Sequence, residues 1–252
     1  MKRVGVSLAS LLFLSSLLPA QTTSDNRDKV QTLEREVQAA RHRLMDWAGL
    51  THYGSEDTEI PAPKPNENRV VFLGDDLTEK WEGQFFPGKP YFNRGIERQT
   101  TPQMLVRFQQ DVVNLHPKAV VIQGGSNDLA GFTGPATEVT IGENLTSMIQ
   151  IAKANGIRVV LASVTPVCDC YTNQTARRPQ GKIIGLNASI KRLAAANGVV
   201  YLDYYSALAN GRDLKKDLTS DGLHPNEAGY RVMAPLAEDA IRKALAEEKS
   251  IQ

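Results

Sequence analysis

Four short segments of this 252-residue chain gather groups that move protons or hold negative charge. They are Gly74-Asp75-Asp76-Leu77, Asn93-Arg94-Gly95, Gly124-Gly125-Ser126-Asn127-Asp128 and Asp221-Gly222-Leu223-His224-Pro225. The spacing of Asp221 and His224 lets both side chains share one local turn, in which the acid can hold the imidazole in a single tautomer as a general base requires. Taken singly, each segment also has an ordinary structural use. Gly95 suits a tight turn, Asn127 can cap the loop that follows it, and Asp221 can cap the last helix. What asks for a common explanation is that such residue types recur after four different strands.

The elements that must position them alternate in type. Apolar runs at Val70–Leu73, Ala119–Gln123, Arg158–Ala162 and Val199–Leu202 have the length and composition of strands, and Tyr91–Arg94 is a shorter one. Helical patterns at Thr101–Leu115, Gly142–Asn155, Lys182–Asn197 and Asn226–Glu247 lie between and after them. Such alternation predicts an α/β domain in three layers, a parallel sheet with helices on both faces. Ligands of these sheets bind beyond the carboxyl ends of the strands. The four segments come after the first, second, third and last strands, and so gather on that edge.

In this order and at these separations the segments resemble the successive blocks of the SGNH, or GDSL, ester hydrolases, over about residues 69–245. The resemblance implies a five-stranded, flavodoxin-like parallel sheet and hydrolysis of carboxylic esters, with a small-molecule or glycan ester as substrate and no cofactor. It also implies roles. His224 matches the family's histidine base and Asp221 the acid that orients it. The oxyanion hole would be formed by the backbone N–H at the nucleophile, by that of Gly95, and by the side chain of Asn127. Losing one such donor commonly costs about a hundredfold or more.

The departure is at the nucleophile, where the family's serine is Asp76. A carboxylate has no proton for His224 to remove, and its attack on an ester carbonyl would give a high-energy anhydride. Three readings follow. In the first, His224 or Asp76 acts as general base on a water while Gly95 and Asn127 hold the oxyanion. In the second, Asp76 attacks a carbon bearing a leaving group, and water cleaves the resulting enzyme ester. In the third, the protein binds an acylated glycan or lipid without turnover, its carboxylate satisfying the donors of the hole. Ser126 is a stand-in nucleophile, or a residue that only contributes hydrogen bonds to its loop.

The remaining features bound the setting. Lys2 and Arg3, the apolar run Val6–Leu18 and small Ala20 read as a signal peptide, residues 1–20, and predict a secreted or periplasmic protein. An uncleaved anchor is the alternative, although the run is short for a bilayer. Removing residues 1–20 removes two positive charges and no negative one, taking the formal net charge from +1 to −1. A balance this near zero, without a basic run, gives no footprint for nucleic acid. Val30, Leu33, Val37, Ala40, Leu44 and Trp47 form an amphipathic stripe, which predicts a helix that packs on its own domain or mediates a weak dimer. Pro61, Pro63 and Pro65 suggest an extended linker, placing the catalytic domain at residues 69–247 after a segment 21–68 of helix and linker. Cys168 and Cys170 are read as two loop thiols, with a labile bridge as the alternative. Neither they nor any histidine cluster suggests a metal. Phe85-Phe86-Pro87 and the segment 166–171 are candidates for a pocket wall, or for ordinary core packing.

Overall fold

The computed structural model describes residues 20–81 and 83–246. The signal-peptide reading therefore falls, Ala20 apart, outside the described residues, as does the expected domain end at Glu247. Strand β1 (Val70–Gly74) is buried along its whole length, as a strand covered on both faces must be. With β2 (Tyr91–Gly95), β3 (Ala119–Gln123), β4 (Arg158–Ala162) and β5 (Val200–Leu202) it makes a five-stranded sheet in the order β2-β1-β3-β4-β5. All four pairings are parallel. The parallel pairing is what the alternation of elements predicts, and the order is the flavodoxin-like one that the resemblance implies.

Side chains alternate across this sheet with period two, and each face has its own core. Val71, Leu73, Val120, Ile122, Val159 and Leu161 pack on one side against α4 (Thr101–Asp111), α6 (Glu138–Ala154) and α7 (Gln180–Ala196). Val70, Phe72, Val121, Val160 and Ala162 pack on the other against α9 (Glu227–Ala246) and an aromatic group that includes Trp81, Phe86 and Tyr230. Phe85 and Phe86 belong to that group, Phe85 edge-on to Trp81 and Phe86 stacked on it. They serve core packing, the second of the two uses foreseen for them. Two very short helices, α3 (Asp76–Glu79) and α5 (Ser126–Leu129), start directly after β1 and β3 and carry the candidate residues at their first turns.

Helix α1 (Ala20–Met45) forms where the apolar stripe predicts one, but it ends two residues before Trp47. Val30, Leu33, Val37 and Leu44 are exposed on it. The chain divides into two compact units between Met45 and Asp46. The second unit thus starts well before Arg69 and includes residues 60–68, which the sequence reading took as a linker. The stretch 46–68, with α2 (Gly54–Glu59) in it, is tied down by buried polar groups of the domain. Arg94, almost without solvent contact, pairs with Asp57 at 2.7 Å and Glu56 at 3.1 Å. The Tyr53 hydroxyl donates to the Gly95 carbonyl at 2.5 Å, and Arg69 donates to the Pro61 carbonyl at 2.9 Å. The prolines hold an extended path across the surface here; they do not separate domains.

A chain beginning at Arg69 would strip the Arg94 guanidinium of both carboxylates and of the Tyr53 ring that covers it. Removing one side of a buried pair costs about 3–5 kcal/mol. Urea denaturation should therefore place the Arg69 start at least that far below a chain beginning at Asp46. Coincident unfolding curves would restore the linker.

Candidate active site

Asp76 opens α3 at the carboxyl end of β1, with Asp75 as the residue that caps the helix, its Oδ1 accepting the Leu77 N–H at 3.2 Å. The Asp76 carboxylate points into a small pocket of donors. Its Oδ2 accepts from the Arg98 backbone N–H at 2.9 Å and from Asn127 Nδ2 at 2.6 Å. Its Oδ1 lies 3.7 Å from His224 Nε2. That separation is beyond a direct hydrogen bond but well within strong charge attraction.

On the opposite side the turn at Asp221–His224 closes as the spacing predicts. Asp221 Oδ1 accepts the N–H groups of Leu223 and His224, both at 2.8 Å, and Oδ2 sits 2.6 Å from His224 Nδ1. A carboxylate can only accept, so Nδ1 carries the proton and Nε2 is the atom turned toward Asp76. Gly222, at φ 83°, has no room for a side chain: a Cβ there would come within 2.3 Å of the Cys168 carbonyl oxygen. The Cys168 N–H in turn donates to the Gly222 carbonyl at 2.9 Å, which seats the histidine loop on the cysteine segment. Cys168 and Cys170 are joined in a disulfide, so the reading as two thiols gives way to the bridge.

Asp76, Asn127, Asp221 and His224 are brought together as the sequence reading requires. Gly95 is not. Its N–H donates to Asn93 Oδ1 at 2.8 Å and is engaged there. Its glycine is demanded by packing, because a Cβ at this position would lie 2.0 Å from the Glu79 nitrogen of α3. The backbone donor that faces Asp76 belongs to Arg98, three residues on, in the left-handed region at φ 66°. A residue with a side chain held there is strained, as is common where backbone is aimed at a reacting centre. Neither residue type nor spacing marks that N–H in the sequence.

A second residue escaped the sequence reading. Arg178, buried just before α7, donates from Nε to Ser126 Oγ at 2.9 Å and from an NH2 group to Asn127 Oδ1 at 2.8 Å. Ser126 is thus engaged inside its loop and turned to a partner other than the pocket. Asp128 is likewise occupied, accepting from Thr101 Oγ1 at 2.5 Å. Among the described residues, no group of His, Cys, Asp and Glu side chains is placed to hold a metal ion. Nor, among them, is any helix long and apolar enough to cross a membrane.

The ionisation states follow from these contacts. For Asp76, burial opposes the charge, but the neighbouring His224, the hydrogen bonds from Asn127 and the Arg98 N–H, and its own backbone N–H outweigh it and hold the carboxyl well below the ordinary range. Asp75, wholly buried beside that charge, is pushed up to about 8 and is neutral at pH 7. Asp221 is lowered to about 2, its hydrogen bonds to the His224 and Leu223 loop overcoming burial. His224 is raised: burial disfavours its cation, and the two facing carboxylates outweigh burial.

A family model for GDSL-like lipases and acylhydrolases matches residues 50–232, most of the chain. The chain belongs to the GDSL-like lipase/acylhydrolase family. A GDSL-like lipase from Bacteroides thetaiotaomicron is 39% identical, with a TM-score of 0.74 over 78% of this chain and 98% of that one. An acylhydrolase candidate from Bacteroides fragilis is 41% identical, with a TM-score of 0.75 over 79% and 98%. The lipoprotein YqeF of Bacillus subtilis is 35% identical over 80 residues, which is 31% of this chain and only 33% of that protein.

In this member of the GDSL family His224 faces a carboxylate that is ionised at neutral pH. A raised histidine pKa contributes stability below the unfolded value near 6.5 and loses it as pH rises through the folded value. The depressed Asp76 contributes above about 3.8 and loses it as pH falls. The pair is therefore at full strength between those limits. Asp76→Asn should lower the His224 titration midpoint, read by NMR of the imidazole C–H protons. An unmoved midpoint would mean that the 3.7 Å approach is not maintained in solution.

Proposed function

We propose that this chain is an exported hydrolase of carboxylic esters, short acyl, aryl or acetylated-glycan, whose catalysis is impaired or altered by Asp76. The observation that carries the proposal is the placement of the Asp76 carboxylate on the donors of Arg98 and Asn127, with the Asp221–His224 pair facing it. A general base, its orienting acid and two convergent donors are the parts of an acyl-transfer site. In turnover, neutral His224 takes a proton from a water that attacks the carbonyl. The Arg98 N–H and Asn127 Nδ2 then hold the tetrahedral oxyanion, once Asp76 Oδ2 has yielded them. Asp76 is too weak a base to replace His224 in this step, because its own hydrogen bonds favour the ionised form.

The same contact favours a second reading, a non-catalytic protein that binds an acylated glycan or lipid. A carboxylate seated on both donors is a built-in substitute for the oxyanion and competes with any substrate. Export is part of the proposal, supported by the basic start and apolar run and by the partial likeness to a lipoprotein. No cysteine directly follows that run, so lipid attachment there is not included. A monomer, or a weak dimer through α1, completes the proposal.

Asp76→Ser supplies the proton-bearing nucleophile, and hydrolysis of a short-chain aryl ester should rise by about a hundredfold or more. Weak wild-type turnover abolished by His224→Ala would support the water-based hydrolase. Binding of an acylated ligand without turnover would support the second reading. If both the wild type and Asp76→Ser are inert on a broad ester panel, the hydrolase assignment fails.

Because His224 must be neutral to act, the pH profile carries a sign. Wild-type hydrolysis should rise with pH through an inflection above 6.5, since His224 is raised. Removing the Asp76 charge should move that inflection to lower pH in Asp76→Ser. An inflection at the same pH in both proteins would uncouple the two residues.

A further inference from the structure

The carboxamide of Asn127 has two chemically opposite ends, and only one can stabilise an oxyanion. If Nδ2 faces the pocket it donates to the developing charge; if the amide is turned over, Oδ1 faces the charge and repels it. What decides the orientation lies on the far side. A guanidinium offers donors and no acceptor, so Arg178 can face only the oxygen of the amide. Arg178 is 3% exposed and spends its Nε on Ser126 Oγ and an NH2 group on Asn127 Oδ1, two bonds to adjacent residues of one loop. Its plane lies 5.5 Å from the centre of the Phe132 ring, which carries Arg98 at 4.4 Å. One ring therefore supports both the residue that supplies the backbone donor and the residue that aims the side-chain donor. On the near side, Asn127 Nδ2 is shared between Asp76 Oδ2 and the Gln99 carbonyl at 3.1 Å.

We propose that Arg178 is a positioning residue, which locks the amide of Asn127 with its donor end toward the oxyanion pocket and fixes the first turn of α5 through Ser126. It touches no reacting atom. In the wild type the Asp76 carboxylate helps to hold the same orientation. With serine at position 76 that help is gone, and Arg178 becomes the principal device, with the Gln99 carbonyl as the secondary one.

The inference rests on the hydrolase reading for its rate measurement only, and a second measurement is independent of it. In Asp76→Ser, adding Arg178→Met should lower kcat for an aryl acetate by about tenfold or more with little change in KM, since the lost donor serves the transition state. Arg178→Lys, which keeps one donor, should recover the greater part. Arg178→Met should cost little once Asn127 is already alanine, as expected for two residues acting through one group. Independently, in 15N-labelled wild-type protein the side-chain amide resonances of Asn127 should shift and exchange faster with solvent on Arg178→Met. Arg178→Gln, which can present an acceptor, should do the same and takes its place if the methionine variant does not fold. Unmoved amide resonances, or a rate loss that simply adds to that of Asn127→Ala, would overturn the proposal. If Asp76→Ser is inert while the resonances move as stated, the hydrolase reading fails and the role of Arg178 stands.

Discussion

Both edges of the pocket hang from one guanidinium that has no contact with solvent. Arg107, on α4, donates to the Gly74 carbonyl at 2.9 Å and to the Arg94 carbonyl at 2.8 Å, the strand-end groups just before Asp76 and the Arg98 turn. It also donates to Gln99 Oε1 at 2.5 Å and to its partner Asp111 at 2.8 Å. Burying such a charge is costly unless the fork is well satisfied, and breaking it would strand Asp111 in the core. The cost has a structural return: β1, β2, the turn after β2 and α4 are held in one register. A shift of about 1 Å between the two loops would be enough to spoil convergent hydrogen bonds on a single oxygen.

Within that frame, two adjacent aspartates acquire opposite states. Asp76 collects donors and a facing imidazole and stays ionised; Asp75, one residue earlier, keeps a buried Oδ2 without a hydrogen-bond partner and is neutral at pH 7. Two carboxylates so close cannot both carry full charge in a buried place, and the donors decide which one does. The donor set gathered around position 76 therefore favours negative charge there. That is the physical reason an ionised carboxylate is tolerated at position 76.

The sheet, its order and the meeting of Asp76, Asn127, Asp221 and His224 were legible because strand length, helix spacing and block order are properties of residue type. The misassigned donor shows where that ends. Gly95 was carried over as a donor from the family's pattern, whereas here it answers a steric demand from α3. The N–H that does the aiming belongs to an arginine with positive φ, a conformation its side chain gives no reason to expect. Arg178 was hidden among polar loop residues, since nothing in Arg177-Arg178-Pro179 says which arginine turns inward. Pro61, Pro63 and Pro65 misled for a related reason: composition reports stiffness, but only the buried carboxylate partners of Arg94 reveal that the preceding segment belongs to the domain.

The engagement of Ser126 by Arg178, together with the carboxylate at position 76, has a consequence for how such a protein would be found at all. Organophosphorus and sulfonyl reagents that tag hydrolases do so by capturing an activated hydroxyl oxygen, and this pocket presents none: one candidate oxygen belongs to an anion, and the other is committed to a cation. A covalent survey of ester hydrolases would pass over this chain. Turnover by the proposed hydrolase would register only in assays that follow substrate.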